Sequence, residues 1–147
     1  MESEKELKPA SAKVKSRPLT YEHEIPVTRV RRFWDGVAEG KVMATRCTRC
    51  GERYYPPQAD CPKCLASEME WFQVGEQAVL KTYTESRLKP QGFTQYTEPY
   101  TIAVAETAEG LRIMGWLEVG GETRLGMTVK VSGRIQPDGF PLIFFTK

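Results

Sequence analysis

All four cysteines of the chain lie between positions 47 and 64, in the segment CTRCGERYYPPQADCPKC. They form two Cys-x-x-Cys pairs, and ten residues separate the first pair from the second. Each pair places two sulfurs on one side of a tight turn, and two such turns that face each other form a tetrahedral four-sulfur site. The spacing therefore predicts a metal-binding ribbon with four ligands: Cys47, Cys50, Cys61 and Cys64.

Four cysteine ligands leave no open coordination position, which favours a structural metal over a catalytic one. We expect zinc. Iron is the alternative, because the two pairs also resemble those of rubredoxin, where they lie further apart. The only histidine, His23, is distant in sequence. A thioredoxin-like redox role is disfavoured, because that motif joins a strand to a helix and these pairs lie in turns.

The N-terminal region is polar and mixed in charge over residues 1–26, which predicts a flexible tail or an arm that becomes ordered against a partner. It has no apolar segment typical of a secretory signal. Clustered cysteines in such a chain suit a reducing compartment, so we expect a cytoplasmic protein. No stretch approaches the roughly 18 to 20 apolar residues that span a bilayer.

Residues 27–43 are predicted to form a short amphipathic helix and the strand that leads into the first cysteine pair. Apolar side chains recur at helical spacing at Val30, Phe33, Trp34 and Val37, and Gly40 is a suitable end for the helix. The segment KVMATRC then reads as a strand. The metal ribbon is assigned to residues 44–74.

Residues 75–147 contain five segments rich in Val, Ile, Thr and aromatic residues: QAVLKTYTESRLK, YTIAVAETAE, LRIMGWLEV, MTVKVSGRIQ and PLIFFTK. Val129, Val131 and Ile135 are expected on one face of their strand. Gly115 and Gly133 permit the bends that closure requires, and Gly133 marks a bulge or sharp bend. The fold class is therefore mainly β, with an N-terminal helix, a rubredoxin-like zinc ribbon and a C-terminal five-stranded OB-fold barrel.

Nothing else in the sequence indicates catalysis. There is no Gly-rich phosphate loop, no nucleophile paired with a histidine, and no metal-binding carboxylate cluster. Three glutamates on or near the second and third barrel strands are interpreted as solvent-facing: Glu106, Glu109 and Glu118. The long connection from Ser86 to Pro99 is either a ligand rim, as in other OB-folds, or an ordinary mobile loop.

The order of parts is similar to that of a known family. RRFWDGVAEGKV precedes RCTRCGERYYPPQADCPKC, and then come EWFQVGEQAVLKTYTESR, PYTIAVAETAEGLRIMGWL and LGMTVKV. This order resembles the zinc-ribbon/OB-fold proteins first catalogued as domain-of-unknown-function family 35. These accompany thiolases, thiolase-like aldolases and hydroxymethylglutaryl-CoA synthase. The resemblance covers about Val30 to Phe145.

The resemblance implies a non-catalytic scaffold that associates with a thiolase-fold enzyme and helps hold its coenzyme A thioester. The phosphates of coenzyme A favour arginine and lysine, and its pantetheine arm favours an apolar groove. Four residues of the long connection offer both kinds of contact and are the candidate ligand-binding set: Arg87, Lys89, Phe93 and Tyr96.

The alternative is a nucleic-acid-binding module, because zinc ribbons and OB-folds both serve that role. The strand pair that would face a nucleic acid carries three glutamates and only Arg112. The chain as a whole has 21 basic and 19 acidic side chains, a balance that does not require a polyanionic partner. The sequence therefore favours the scaffold over the nucleic-acid reading. An enzyme acting alone is a third possibility that lacks a visible site.

Overall fold

The aromatic segment ahead of the cysteines forms a short helix, as its apolar spacing predicts. In the computed structural model, which describes residues 16–89 and 99–147, a 3-10 turn at Thr28–Val30 leads into α1 at Arg31–Ala38. The helix ends where Lys41 N–H donates to the Gly36 carbonyl and Gly40 adopts a φ of +82°. Among the described residues, no helix has the length and apolar character that crossing a bilayer requires.

The cysteine region is built on a three-stranded antiparallel sheet of order β2-β1-β3. Its strands are β1 at Met43–Cys47, β2 at Arg53–Tyr54 and β3 at Met69–Gln73. β1 is the central strand, so it carries the first cysteine of the metal site directly from the sheet. The lead-in strand was predicted from the sequence, whereas β3 was not.

The C-terminal region is a closed five-stranded barrel, which confirms the predicted OB-fold. Its strands are β4 at Gln77–Ser86, β5 at Tyr100–Thr107, β6 at Arg112–Glu118, β7 at Thr128–Ile135 and β8 at Pro141–Thr146. They close in the order β4-β5-β6-β8-β7. Every pair is antiparallel except β6 with β8.

The barrel core comes from alternate positions of each strand, and it extends into the ribbon. Leu80, Ile113 and Phe145 have no exposed surface, and Val42, Ala44 and Val74 from the ribbon side belong to the same cluster. The ribbon and the barrel therefore share one hydrophobic core. Beside this core, α1 packs on β1, β7 and β8. Ile135 alternates with Val129 and Val131 as expected, but it is 42% exposed because it lies at the end of β7 opposite Pro141.

Gly133 was expected to mark a bulge or sharp bend, but the structure gives another reason for a glycine at this position. The pairing of β7 with β8 runs through Gly133 without interruption, and the register shift of the barrel lies in β4, between Leu80 and Thr82. A Cβ atom on Gly133 would come within 2.6 Å of the Val37 Cα atom. The glycine is therefore required for the close approach of α1 to the barrel, not for a bulge.

Candidate functional site

The four cysteine sulfurs converge at one end of the ribbon sheet. All four Sγ atoms lie within 4.8 Å of one another, and the Cys47–Cys64 and Cys50–Cys61 sulfur pairs are each 3.6 Å apart. None of these four cysteines forms a disulfide bond. Sulfurs bound tetrahedrally at about 2.3 Å from a zinc ion would be separated by about 3.8 Å. The donor set and its spacing therefore fit a tetrahedral metal ion.

Two turns of the same backbone geometry hold the sulfurs. Gly51 N–H donates to the Cys47 carbonyl, and Leu65 N–H donates to the Cys61 carbonyl, each at 2.9 Å. Both residues are left-handed, with φ of 75° at Gly51 and 59° at Leu65. This conformation directs backbone N–H groups at the sulfurs, as the Glu52 N–H is directed at Cys50.

The four sulfurs differ in their electrostatic surroundings. Burial opposes ionisation of Cys61 most strongly, yet hydrogen bonds from the Tyr54 hydroxyl and from backbone N–H groups lower its pKa to about 6. The Ala66 N–H favours the Cys64 thiolate, but burial and the neighbouring sulfurs raise the pKa of Cys64 to about 12. Four adjacent thiolates therefore require a positive ion between them.

Tyr54 was not anticipated from the sequence as part of this site. Its hydroxyl lies 3.2 Å from the Cys61 sulfur, and this hydrogen bond raises the pKa of Tyr54. Hydrogen bonds to a ligand sulfur orient the ligand and stabilise its negative charge. Two nearby cations are engaged in ion pairs, Arg46 with Glu70 and Lys63 with Glu52.

The second cysteine turn is also fastened to the segment that precedes α1. Both terminal nitrogens of Arg29 donate to the Asp60 carboxylate at 2.9 Å. These hydrogen bonds, together with one from Ser67, hold the pKa of Asp60 below its usual value. The bidentate pair fixes the start of the helix against the metal end of the ribbon.

Glu109 lies at the junction of ribbon and barrel and is half-buried, so its interpretation as a solvent-facing residue was wrong. Its Oε1 atom accepts the Gly75 N–H at 3.1 Å. Burial acts most strongly on its pKa, in the upward direction. Hydrogen bonds from Thr107 and Gly75, together with the Arg53 charge, nevertheless hold that pKa below its usual value. Glu109 therefore joins the β5–β6 turn to the linker between the two regions.

Glu106 and Glu118 are engaged in ion pairs on the barrel surface. Glu106 pairs with Lys81 and Arg112, and Glu118 accepts hydrogen bonds from Arg134. The same arginine lies 3.9 Å above the ring of Phe144. The cations of this face are thus already paired with carboxylates, and the glutamates are not arranged as an acid–base set.

An apolar groove of about 230 Å³ lies between α1 and the barrel. Its lining includes Trp34 of the helix, Met114 and Trp116 of β6, and Leu142 of β8. Trp116 stacks on Tyr100 with ring centroids 4.8 Å apart. The Tyr100 hydroxyl donates to the Leu88 carbonyl at 3.0 Å. The groove is therefore connected through two aromatic rings to the end of β4.

Two of the four candidate ligand residues can be located. Arg87 is exposed and its Nε donates to Glu85 at 3.1 Å, and Lys89 follows Leu88 on the same exposed segment. Both flank the carbonyl that Tyr100 binds. Phe93 and Tyr96 lie outside the described residues.

The sequence is similar to curated proteins over most of its length. A DUF35 domain-containing scaffold protein of Methanocaldococcus jannaschii is 33% identical over 115 residues, covering 75% of this chain and 81% of that protein. Benzoylsuccinyl-CoA thiolase subunit BbsA of Thauera aromatica is 28% identical over 104 residues, covering 68% of this chain and 70% of the subunit.

Solved structures show the same fold at low sequence identity. The Ltp2-ChsH2(DUF35) aldolase has a TM-score of 0.69 at 19% identity, over 79% of this chain and 91% of that one. A DUF35-family protein of unknown function from Sulfolobus solfataricus has a TM-score of 0.56 at 17% identity, over 81% of this chain and 84% of that one.

Two family models match consecutive parts of the chain. The ChsH2 rubredoxin-like zinc ribbon domain matches residues 34–70, and the ChsH2 C-terminal OB-fold domain matches residues 71–134. Together they span both the ribbon and most of the barrel. The chain therefore belongs to the DUF35 family of ChsH2-type zinc-ribbon/OB-fold proteins.

Proposed function

We propose that this chain is a non-catalytic scaffold subunit that binds a thiolase-fold enzyme and helps hold its coenzyme A thioester. The enzyme would be a thiolase, a thiolase-like aldolase or hydroxymethylglutaryl-CoA synthase. The observation that carries the proposal is similarity over 81% of a relative named as a scaffold protein and 70% of one named as a thiolase subunit.

The side chains support a role without catalysis. Across residues 16–89 and 99–147, the four cysteines are the one group of metal-ligating side chains that converge. Four sulfur ligands fill the coordination sphere of a tetrahedral ion, so no position is left for a reacting water or substrate. His23 is exposed, and its ring nitrogen is bonded to the Tyr21 hydroxyl.

We propose zinc as the ion, because a closed set of four thiolates suits a structural zinc site and the matching family domain is described as a zinc ribbon. Bound there, zinc neutralises thiolate charge and ties the two turns together. The cytoplasm is the compartment we propose, since a reducing environment keeps the four cysteines available as ligands.

The groove beside α1 supports binding of a coenzyme A thioester. Its apolar lining suits a pantetheine arm or an acyl chain. Arg87 and Lys89 lie at the other end of the Trp116–Tyr100–Leu88 connection, and their positive charges suit the phosphates. We therefore assign the phosphates to the end of β4 and the apolar arm to the groove.

The enzyme association is tested by affinity capture of the tagged chain from its native lysate, with the metal content of the eluate measured by elemental mass spectrometry. We expect a thiolase-fold enzyme and one zinc per chain. Elution with nucleic acid would favour the nucleic-acid module, and elution alone with iron would contradict the scaffold assignment.

The phosphate contact is tested by calorimetry of coenzyme A binding to the purified complex. Arg87→Ala/Lys89→Ala should weaken binding about tenfold, because each charged contact to phosphate is worth about 1.5 kcal/mol or less at an exposed site. Arg124→Ala/Lys130→Ala is the control, since Arg124 also pairs with a glutamate two residues before it. Equal affinities for both variants would remove Arg87 and Lys89 from the site.

A further inference from the structure

The segment ahead of α1 has the sequence pattern of a β-strand. Apolar or aromatic side chains occupy every second position, at Leu19, Tyr21, His23 and Ile25. The positions between them are polar, at Thr20, Glu22 and Glu24. Pro18 and Pro26 bound the alternation. A period of two over this length is typical of a strand with one face against an apolar surface.

The structure leaves this strand-like segment, which we call the arm (residues 19–25), without a sheet. Leu19 is 91% exposed, Tyr21 79% and Ile25 63%. No backbone hydrogen bond joins the arm to any other residue in the ranges 16–89 and 99–147. An alternating apolar face and a full set of free peptide groups are thus both presented to solvent.

Two alternate side chains of the arm lie together at its centre. The Tyr21 hydroxyl and the His23 Nε2 atom are 2.6 Å apart, and their rings meet edge-on at a centroid distance of 4.3 Å. Side chains two positions apart lie together in this way on one face of an extended backbone. The bounding prolines further restrict the chain, which lowers the entropy lost on pairing.

The position of the arm is fixed at its C-terminal end. Arg29 is held by the bidentate pair with Asp60, four residues after Ile25. The arm therefore leaves the molecule beside the second cysteine turn. Any surface that it pairs with must lie next to the metal end of the ribbon.

We propose that the arm binds by adding a β-strand to an unpaired sheet edge of the thiolase-fold partner, next to the metal end of the ribbon. Backbone hydrogen bonds along the edge supply affinity in this mode, and alternate side chains enter pockets on one face. Leu19, Tyr21 and Ile25 would fill those pockets. This inference rests on the enzyme association proposed above.

The ribbon sheet has two outer edges among the described residues, β2 and β3. β2 has only two residues, so the outer side of β3 is the edge long enough to pair with the arm. The hydrogen bonds from Val74 N–H to Val42 and from Thr48 N–H to Glu68 fix the alternation of the β1–β3 ladder. By that alternation, the peptide groups of three residues point away from β1: Met69, Trp71 and Gln73. β3 is thus an unpaired edge within the described residues.

Charge argues against a second copy as the occupant. The arm carries Glu22 and Glu24, and residues 68–73 contain two glutamates and no basic residue. The adjacent Arg46 is already bonded to Glu70. Like charges on neighbouring strands are destabilising. An edge that carries lysine or arginine complements the arm, and free edges in natural proteins are commonly protected by lysine.

The test uses the full chain and the purified thiolase-fold enzyme that it captures. Amide hydrogen exchange is measured for residues 19–25 with and without the enzyme. Affinity is measured for Leu19→Ser/Tyr21→Ser/Ile25→Ser and for the matched polar-face variant Thr20→Ser/Glu22→Gln/Glu24→Gln. All six positions are exposed, so the fold and metal content of both variants should match the wild type.

We expect enzyme binding to protect arm amides, which a contact through side chains alone would not do. The apolar-face variant should bind at least about tenfold more weakly at any salt concentration, because burial of its side chains is lost. The polar-face variant should weaken binding only at low salt, where charge attraction is unscreened.

Binding with unchanged arm exchange and unchanged affinity of both variants would overturn the inference and leave the proposed function standing. Arm protection that rises with chain concentration in the absence of enzyme would assign the edge to a second copy and overturn the enzyme assignment. Failure of the wild-type chain to bind the enzyme would overturn the proposed function, and this inference with it.

Discussion

The ribbon and the barrel are held together by different physical means. The buried cluster at the metal end consists of Cys47, Cys61 and Ala66, with a few half-buried neighbours. The barrel cluster contains large aliphatic and aromatic side chains such as Leu80, Ile113 and Phe145. Burial of apolar area stabilises the barrel directly, whereas the ribbon has too little of it and depends on an ion.

Strand β1 connects the hydrophobic core of the barrel to the metal end of the ribbon. Ala44 at the start of β1 belongs to the barrel cluster, and Cys47 at its end belongs to the ribbon cluster. Loss of the ion should therefore release the distal turns but leave the base of the ribbon sheet packed on the barrel. The comparison predicts that the boundary between the part that needs the ion and the part that stays folded without it lies within β1, between Ala44 and Cys47.

Removal of the metal is the largest change that tests this boundary. Structural zinc contributes about 10–16 kcal/mol in small zinc modules, more than a small module gains from its core. Cys47→Ser, or chelation of the wild type, should abolish metal binding and amide protection between residues 45 and 70. Amides of β4 to β8 should stay protected when hydrogen exchange is followed by mass spectrometry.

The control for this experiment is Thr48→Ser, which keeps the hydroxyl that donates to the Glu68 carbonyl. It should retain one metal ion per chain. Loss of barrel protection together with ribbon protection in Cys47→Ser would show that the two regions unfold as one unit and would contradict the comparison.

The contact of α1 with the barrel should be the next most sensitive feature. Gly133→Ala places a Cβ atom 2.7 Å from the Val37 carbonyl oxygen, a backbone atom that moves only if the helix moves. We expect a loss of about 1–3 kcal/mol in the free energy of unfolding, measured with chemical denaturant. Gly120→Ala, with no atom within 4 Å, is the matched substitution and should be nearly neutral. Equal stability of the two variants would mean that α1 does not rest firmly on β7.

How much of this structure could be predicted from the sequence depends on whether a feature is local. The cysteine site and the five barrel strands were predictable because each depends on local spacing: two residues within a cysteine pair, and a period of two along a strand. The OB-fold class followed from the number of short strands and the glycines between and within them. These features need no knowledge of distant contacts.

The features that were missed depend on residues far apart in the chain. Gly133 is required by a helix that lies many residues earlier, and Glu109 binds Gly75 across the junction. Tyr54 reaches Cys61 only after the ribbon has folded. β3 was not predicted because its five residues show only partial alternation, with Trp71 and Phe72 both half-buried.

The junction can be tested through pH. The folded-state pKa of Glu109 is lowered, so its contribution is complete above its unfolded pKa of about 4.3 and is lost as the pH falls through the lower, folded value. Glu109→Gln should cost about 1 kcal/mol at pH 7, and this difference from the wild type should shrink at pH 4 and below. Protonation of the cysteines affects the wild type and the variant equally, so it cancels in the difference between their free energies of unfolding.

The same substitution at an exposed ion pair provides the control for pH. Glu118 is bound by Arg134 but its side chain is 49% exposed, so Glu118→Gln should cost less than about 0.5 kcal/mol at either pH. A Glu109→Gln difference that grows as the pH falls would have the wrong sign and would exclude the ionised carboxylate as the junction contact.

The smallest effect distinguishes the two cysteine turns from each other. The two turns have the same backbone conformation, but the left-handed position is occupied by Gly51 in the first turn and by Leu65 in the second. A left-handed residue with a Cβ costs about 1–2 kcal/mol, and glycine returns about 0.5–1 kcal/mol of this through unfolded-state entropy. Leu65 is 85% exposed, so its side chain contributes little burial.

Leu65→Gly should therefore raise metal affinity by up to about fivefold, which corresponds to about 1 kcal/mol, in competition with a chromophoric chelator. Gly51→Leu, the reciprocal change, should lower affinity by a similar factor. Opposite signs would mean that backbone conformation sets the energy of both turns. A loss of affinity in both variants would instead show that Leu65 makes a side-chain contribution, and the two turns would then differ in more than one residue's conformational preference.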